Sequence, residues 1–173
     1  PVTEAARLAH EHGALCHCDA VQAAGKVITD FARLGADLLT LSAHKLGGPA
    51  GVGALIVADH VHLAARQRGG GQERGRRAGT ENLPGIIGFG VAAEIAAAEL
   101  DAAAKLAHLR DDLERRALAA VPGAIVFGRE AARLSNTSCL ALPGLTSELQ
   151  VMALDLAGVA VSAGSACSSG KVQ

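Results

Sequence analysis

The sequence predicts an α/β protein with a parallel or mixed sheet of short strands, followed by a smaller α+β region. Three observations predict it. Through residues 1–58, short apolar runs of strand length alternate with helical patterns, the rhythm of strands joined by crossovers. From Pro84 to about Val121 an Ala-rich stretch keeps helical character well beyond one ordinary helix. After Pro122-Gly123 the apolar runs become short again.

Element by element, residues 2–12 read as a helix, with Thr3 as N-cap and Gly13 as its stop. Residues 14–18 (ALCHC) are short and apolar enough for a buried strand. Residues 30–35 form a helical turn, and 37–42 (DLLTLS) another strand. The loop HKLGGPAGVG leads into a strand at 53–58. The run from Gly69 to Asn82 is rich in Gly and Arg and too irregular for helix or strand. The long helical stretch should bend or break near 100–104. Strands are expected at 124–127, 138–142 and 159–162, with a helix at 146–157. The division that follows is 1–98 for a larger domain and 99–173 for a small one.

Composition narrows the function. Half of the 173 residues are hydrophobic and 2% are aromatic, so the core must be built from Ala, Leu, Val and Ile. Chains of this size bury roughly two-thirds of their unfolded surface. With 16 basic and 17 acidic residues the net charge is -1, which gives no electrostatic reason to expect nucleic acid or an anionic membrane as a partner. No apolar run reaches the ~18–20 residues of a membrane span, and the start shows no signal-peptide pattern. Because it opens on Pro1 rather than Met, the sequence reads as part of a longer chain. Four cysteines (Cys16, Cys18, Cys139, Cys167) do not make a disulfide framework. A reducing, cytoplasmic setting is expected.

Chemistry-bearing residues gather in four places. The first is His17-Cys18-Asp19-Ala20-Val21-Gln22, at the end of an expected strand. Ligands of open α/β sheets bind at the carboxyl ends of strands, although an Asp there, taken alone, is ordinarily a turn former. The second is Ser42-Ala43-His44-Lys45, ending the next clear strand. A single Lys there would ordinarily be solvated. The third is Ser162-Ala163-Gly164-Ser165-Ala166-Cys167-Ser168-Ser169-Gly170-Lys171. Ser, Ala and Gly on both sides of Cys167 offer little to pack against, so this thiol reads as accessible. Cys16, Cys18 and Cys139 lie within strand patterns and read as inert core. The fourth is Gly69-Gly70-Gly71-Gln72-Glu73-Arg74-Gly75-Arg76-Arg77-Ala78-Gly79-Thr80-Glu81-Asn82, on its own a basic surface loop.

Two look-alikes are set aside. Gly47–Gly53 has no G-K-[ST] ending and is not a P-loop. Cys16-His17-Cys18 has no second pair at zinc spacing, and neighbouring strand residues face opposite ways. No metal is expected. His10, His12, His60 and His62 read as solvated.

Together, H-x-D-A-x-Q followed by S-x-H-K resembles the fold-type I enzymes of pyridoxal 5'-phosphate (PLP), in the class V aminotransferase group. The resemblance implies that the chain holds part of the large PLP-binding domain, with its mixed, mainly parallel sheet, plus a small α+β C-terminal domain. PLP requires a Lys for its Schiff base and an acidic partner for its pyridine nitrogen, and a carboxylate favours the protonated pyridinium. By this resemblance Asp19 is that partner, Gln22 reaches the ring phenolate oxygen, Lys45 carries the cofactor, and Ser42 and His44 contact its phosphate. The Cys167 stretch is similar to the S-G-S-A-C-[ST]-S loop of cysteine desulfurases of the iron–sulfur-cluster and nitrogen-fixation type. The Gly- and Arg-rich run resembles that family's G-G-G-[HQ]-E-R-G-x-R-x-G-T segment, which crosses to the neighbouring subunit. There Thr80 would touch the partner's PLP phosphate, which implies a homodimer. Arg133-Leu134-Ser135-Asn136-Thr137 also echoes the family's small domain.

The resemblance implies conversion of L-cysteine to L-alanine, with a persulfide formed on Cys167 and passed to an acceptor such as an iron–sulfur scaffold protein. Family members also use an upstream region with a phosphate-binding Thr, a ring-stacking His and an Asn, and an Arg a little after the Cys loop. These positions fall outside Pro1–Gln173. Selenocysteine lyase, another class V PLP enzyme, or an inactive fragment acting only in binding are the rival readings.

Overall fold

A computed structural model describes residues 2–164. The chain forms two compact units, residues 1–107 and 108–173.

In the first unit, helix α1 (Val2–Glu11) is followed by strand β1 (His17–Asp19), the one-turn helix α2 (Phe31–Leu34), and strands β2 (Leu38–Ser42) and β3 (Gly53–Val57). Helix α3 (Leu83–Ala98) comes next, and helix α4 (Leu100–Ala120) begins within this unit. The sheet runs β1-β2-β3. β1 lies parallel to β2, with Asp19 opposite Thr40, and β3 returns antiparallel, with Gly53 opposite Ser42. The expected mixed sheet is present.

Helix α1 does not use Thr3 as its cap. The residue lies inside the helix, and its hydroxyl donates to the Arg33 carbonyl at 3.4 Å, linking α1 to α2. Gly13 takes a positive φ of 69° just past the helix end, as a left-handed stop does. Strand β1 starts later than the apolar run suggests. Residues 14–16 are occupied leaving the helix, with the Ala14 amide returning to the Ala9 carbonyl and Cys16 accepting from the amides of Asp37 and Leu38. This delay places Asp19 on the last residue of the strand. Helix α2 is closed at both ends, by Asp30 accepting from the Arg33 amide and by Gly35 in the left-handed conformation.

The core of this unit is made of small residues: Ala6, Ala20, Ala24, Ala36, Ala43 and Ala92 are buried, with Leu39 and Val61. Elements can therefore approach closely. A β-carbon on Gly48 would sit 3.1 Å from Ala92 Cβ and 3.1 Å from the Ala43 carbonyl oxygen. The turn after β2 is thus pressed against α3. Helix α3 is capped by Asn82, which accepts from the Gly85 amide, and carries Pro84 in its first turn. Ile87, Val91 and Ile95 on this helix are exposed.

The long helical stretch breaks at Glu99, slightly before the expected position, and α4 resumes at once. The second unit holds the rest of α4, a two-stranded antiparallel ribbon of β4 (Ile125–Val126) and β5 (Leu140–Ala141), and helix α5 (Ser147–Leu156). Its buried centre is charged: Glu114 accepts from both terminal nitrogens of Arg133, at 2.7 and 3.0 Å, and from the Ser138 hydroxyl at 2.7 Å. The strand expected at 159–162 is not formed. β4 and β5 pair only with each other, and Val159 instead donates to the Leu154 carbonyl, closing the end of α5. Among the described residues no single helix is long and apolar enough to cross a membrane.

Candidate functional site

Two of the four sequence clusters meet at one edge of the three-stranded sheet. Because β1 and β2 are parallel, their carboxyl ends lie side by side. Asp19 ends one strand and Ser42 the other. The Ala20 amide, donating to the Thr40 carbonyl at 3.1 Å, extends the pairing one residue further.

Past Asp19 the chain turns. Asp19 accepts from the Val21 amide at 3.0 Å, a local side-chain turn that fixes the carboxylate beside the strand end. Residues 20–27 then wind in helical turns, the amides of Ala24 and Val27 donating to the carbonyls of Ala20 and Ala23. Gln22 sits in the first of these, half-buried. Past Ser42 the chain enters a 3-10 turn, Ala43–Leu46. Ala43 is fully buried beneath it, while His44 and Lys45 are exposed. The turn ends on Gly47, whose φ of 83° suits glycine. Ser42 Oγ and His44 Nδ1 lie 2.8 Å apart, joined by a hydrogen bond.

The edge thus collects a carboxylate, an amide, a hydroxyl, an imidazole and a primary amine. This donor set fits PLP. The Asp19 carboxylate, which accepts from the Val21 amide, has the chemistry to accept from a protonated ring nitrogen as well. Lys45 is an exposed amine with no carboxylate within 4 Å among the described residues. Ser42 and His44 together offer hydrogen bonds suited to a phosphate.

Thr80 lies exposed in the irregular run after β3, and among the described residues no hydrogen bond ties it to Asp19, Ser42, His44 or Lys45. That run contains two non-glycine residues with positive φ, Glu73 at 49° and Arg74 at 57°. Cys167 lies outside the described residues.

Several side chains differ from the sequence expectation. His10 and His60 are not merely solvated: both bind Asp37, at 2.8 and 2.7 Å, and this carboxylate is only 2% exposed. His12 bonds the Leu8 carbonyl at 2.8 Å. Cys139 is exposed and Cys16 and Cys18 half-buried, so none is in the core; only Cys18 lies in a strand, Cys16 and Cys139 standing just before β1 and β5. Burial raises the Cys18 thiol pKa, with Cys16 and Asp19 adding to the effect. Among the described residues no group of His, Cys, Asp and Glu is placed to hold a metal ion.

One residue near the site had no motif to mark it. The Lys26 ammonium donates to the Gln22 carbonyl at 3.1 Å. Its spacing, four residues after Gln22 in a helical turn, was the available signal.

Known proteins resemble this chain in sequence and fold. Residues 1–172 match the family described as Aminotransferase class-V. A cysteine desulfurase of Cereibacter sphaeroides is 51% identical over 173 residues, and one of Klebsiella pneumoniae 45% identical over 173 residues. Each alignment takes in 100% of this chain but 44% of the relative, so the chain spans less than half the length of these curated relatives. Among solved structures, a NifS-like protein from Rickettsia africae ESF-5 superposes with a TM-score of 0.89 at 32% identity, covering 95% of this chain and 46% of that one. The chain belongs to the aminotransferase class-V family.

Proposed function

We propose that this protein is a PLP-dependent cysteine desulfurase, converting L-cysteine to L-alanine and supplying the sulfur to an acceptor protein. The observation that carries the reading is the placement of Asp19 and Lys45 on the adjacent carboxyl ends of two parallel strands. The cysteine desulfurases that match over the full chain support it.

When bound, PLP supplies an electron sink for charge developing at the substrate Cα. The side chains divide the remaining work. Asp19 holds the proton on the ring nitrogen by charge pairing. Gln22 donates to the ring oxygen, and Ser42 and His44 bind the phosphate. Lys45 anchors the cofactor and, as a neutral amine, moves the proton at the substrate Cα. The thiolate of Cys167 attacks the substrate sulfur: an S–S bond forms, the substrate C–S bond breaks, and its electron pair stays with the carbon skeleton that leaves as alanine. The step is related to thiol–disulfide exchange. Thr80 reaches the phosphate of a second copy in a homodimer. The acceptor is an iron–sulfur scaffold or a thio-cofactor assembly protein, and the setting is the cytoplasm.

Borohydride reduction of the full-length protein loaded with PLP, followed by peptide mapping, tests this reading. Pyridoxyl fixed on Lys45, and its loss in K45A, are expected. An unlabelled Lys45 in a folded protein would overturn the proposal. With L-cysteine, mass spectrometry should then find one added sulfur on Cys167.

A further inference from the structure

Lys26 is held in an unusual electrostatic position. Its side chain is half-buried and its ammonium is directed back to the Gln22 carbonyl. The preceding residue fixes where the turn lies. Gly25 has a φ of 73°, and a β-carbon there would stand 2.6 Å from Leu46 Cδ2 and 2.9 Å from Ala96 Cβ. The 20–27 turn is therefore packed directly on the 3-10 turn of Lys45 and on α3.

Among the described residues, Lys26 has no carboxylate within 4 Å. Burial pushes its pKa down, and repulsion from the Lys45 charge pushes it further the same way. The buried acids of the molecule are treated differently, since Asp37 and Glu114 are each surrounded by donors. A half-buried ammonium held by one carbonyl and facing no counter-charge is less favourable than one paired with an anion. An anion seated beside Lys26 would offset both penalties.

We propose that Lys26 is a positioning residue of this site: its ammonium secures the turn through the Gln22 carbonyl, and its charge favours an anionic oxygen on the ligand at the face Gln22 serves. The inference rests on the cofactor reading, which places the ring oxygen of PLP at Gln22. With Lys45 committed to the cofactor, Lys26 is, among the described residues, the lysine whose turn packs on the Lys45 turn. A nearby positive charge stabilises the deprotonated form of an ionisable oxygen.

The test follows the visible chromophore of the bound cofactor against pH in the full-length protein, as wild type, K26M, K26Q and K26R. Met keeps the apolar stem and removes the charge. Gln removes the charge but retains a donor for the Gln22 carbonyl, and carries the same prediction should K26M fail to fold. The titration midpoint of the neutral variants should rise by about one pH unit, while K26R stays near wild type. Coincident midpoints in wild type and K26Q would overturn the inference, as would equal shifts in K26Q and K26R, which would mark a packing role alone. The two readings fail separately. An unlabelled Lys45 in the wild type sinks the cofactor reading, whereas a labelled Lys45 with unmoved midpoints sinks only the role of Lys26.

Discussion

Asp37 divides its two oxygens among the His10 and His60 rings and the Cys16 amide. The Cys16 amide contributes most, and with His10 and His60 it outweighs burial, so the carboxyl titrates at about 2 instead of 3.8. A folded-state pKa below the unfolded one adds stability that is complete above the unfolded value and lost as pH falls through the folded one. Urea unfolding should therefore weaken progressively between about pH 4 and pH 2, and D37N should flatten that dependence. At pH 7, D37N should cost about 2 kcal/mol, because a buried acceptor of several donors becomes a partial one. Sequence could not disclose this cluster, since its members come from four separate segments. Asp19 and Lys45 could be singled out as candidates in the sequence because each stands in a short run whose neighbours mark it. Lys26 was not, because its significance lies in the missing counter-charge, which only packing reveals.

At the scale of elements, the site depends on how the 20–27 turn meets the Ala43–Leu46 turn. G25A tests that meeting. Its β-carbon would collide with Leu46 and Ala96, at a backbone conformation unfavourable for L-residues. Destabilisation of about 2 kcal/mol is expected from overpacking and strain together. Weaker retention of PLP, measured by dialysis and absorbance, should accompany it. By contrast N82A, which removes the cap of α3, should cost about 1 kcal/mol in thermal unfolding. Helices α1, α3, α4 and α5 were readable from periodicity and stop signals. Strand limits were less so: β1 moved because backbone bonds leaving α1 used residues 14–16. The run at 159–162 has strand composition, but a strand requires a partner, and its first residue was taken by the end of α5.

In the molecule as a whole, the buried polar groups of both units are well satisfied. Among the described residues no buried side-chain nitrogen or oxygen lacks a partner. In the second unit Glu114 titrates at about 2, chiefly because Arg133 donates to it. R133M leaves that carboxylate without its main partner, and a loss of about 3 kcal/mol is expected, with amide exchange rising first around Glu114, β4 and β5. The α/β class and the alternation of elements were visible from composition and pattern, whereas these charged anchors depend on contacts remote in sequence. The opposite directions of β1 and β3 against β2 also bear on how the site assembles in time. The β2–β3 hairpin closes over residues 43–52 alone, and hairpins form within about 1–10 μs. Pairing β1 with β2 requires a crossover of the intervening chain, which carries a larger closure entropy and is intrinsically slower. The turn of Lys45 should therefore be fixed before Asp19 is drawn beside it, and pulse-labelled amide exchange should protect β3 before β1.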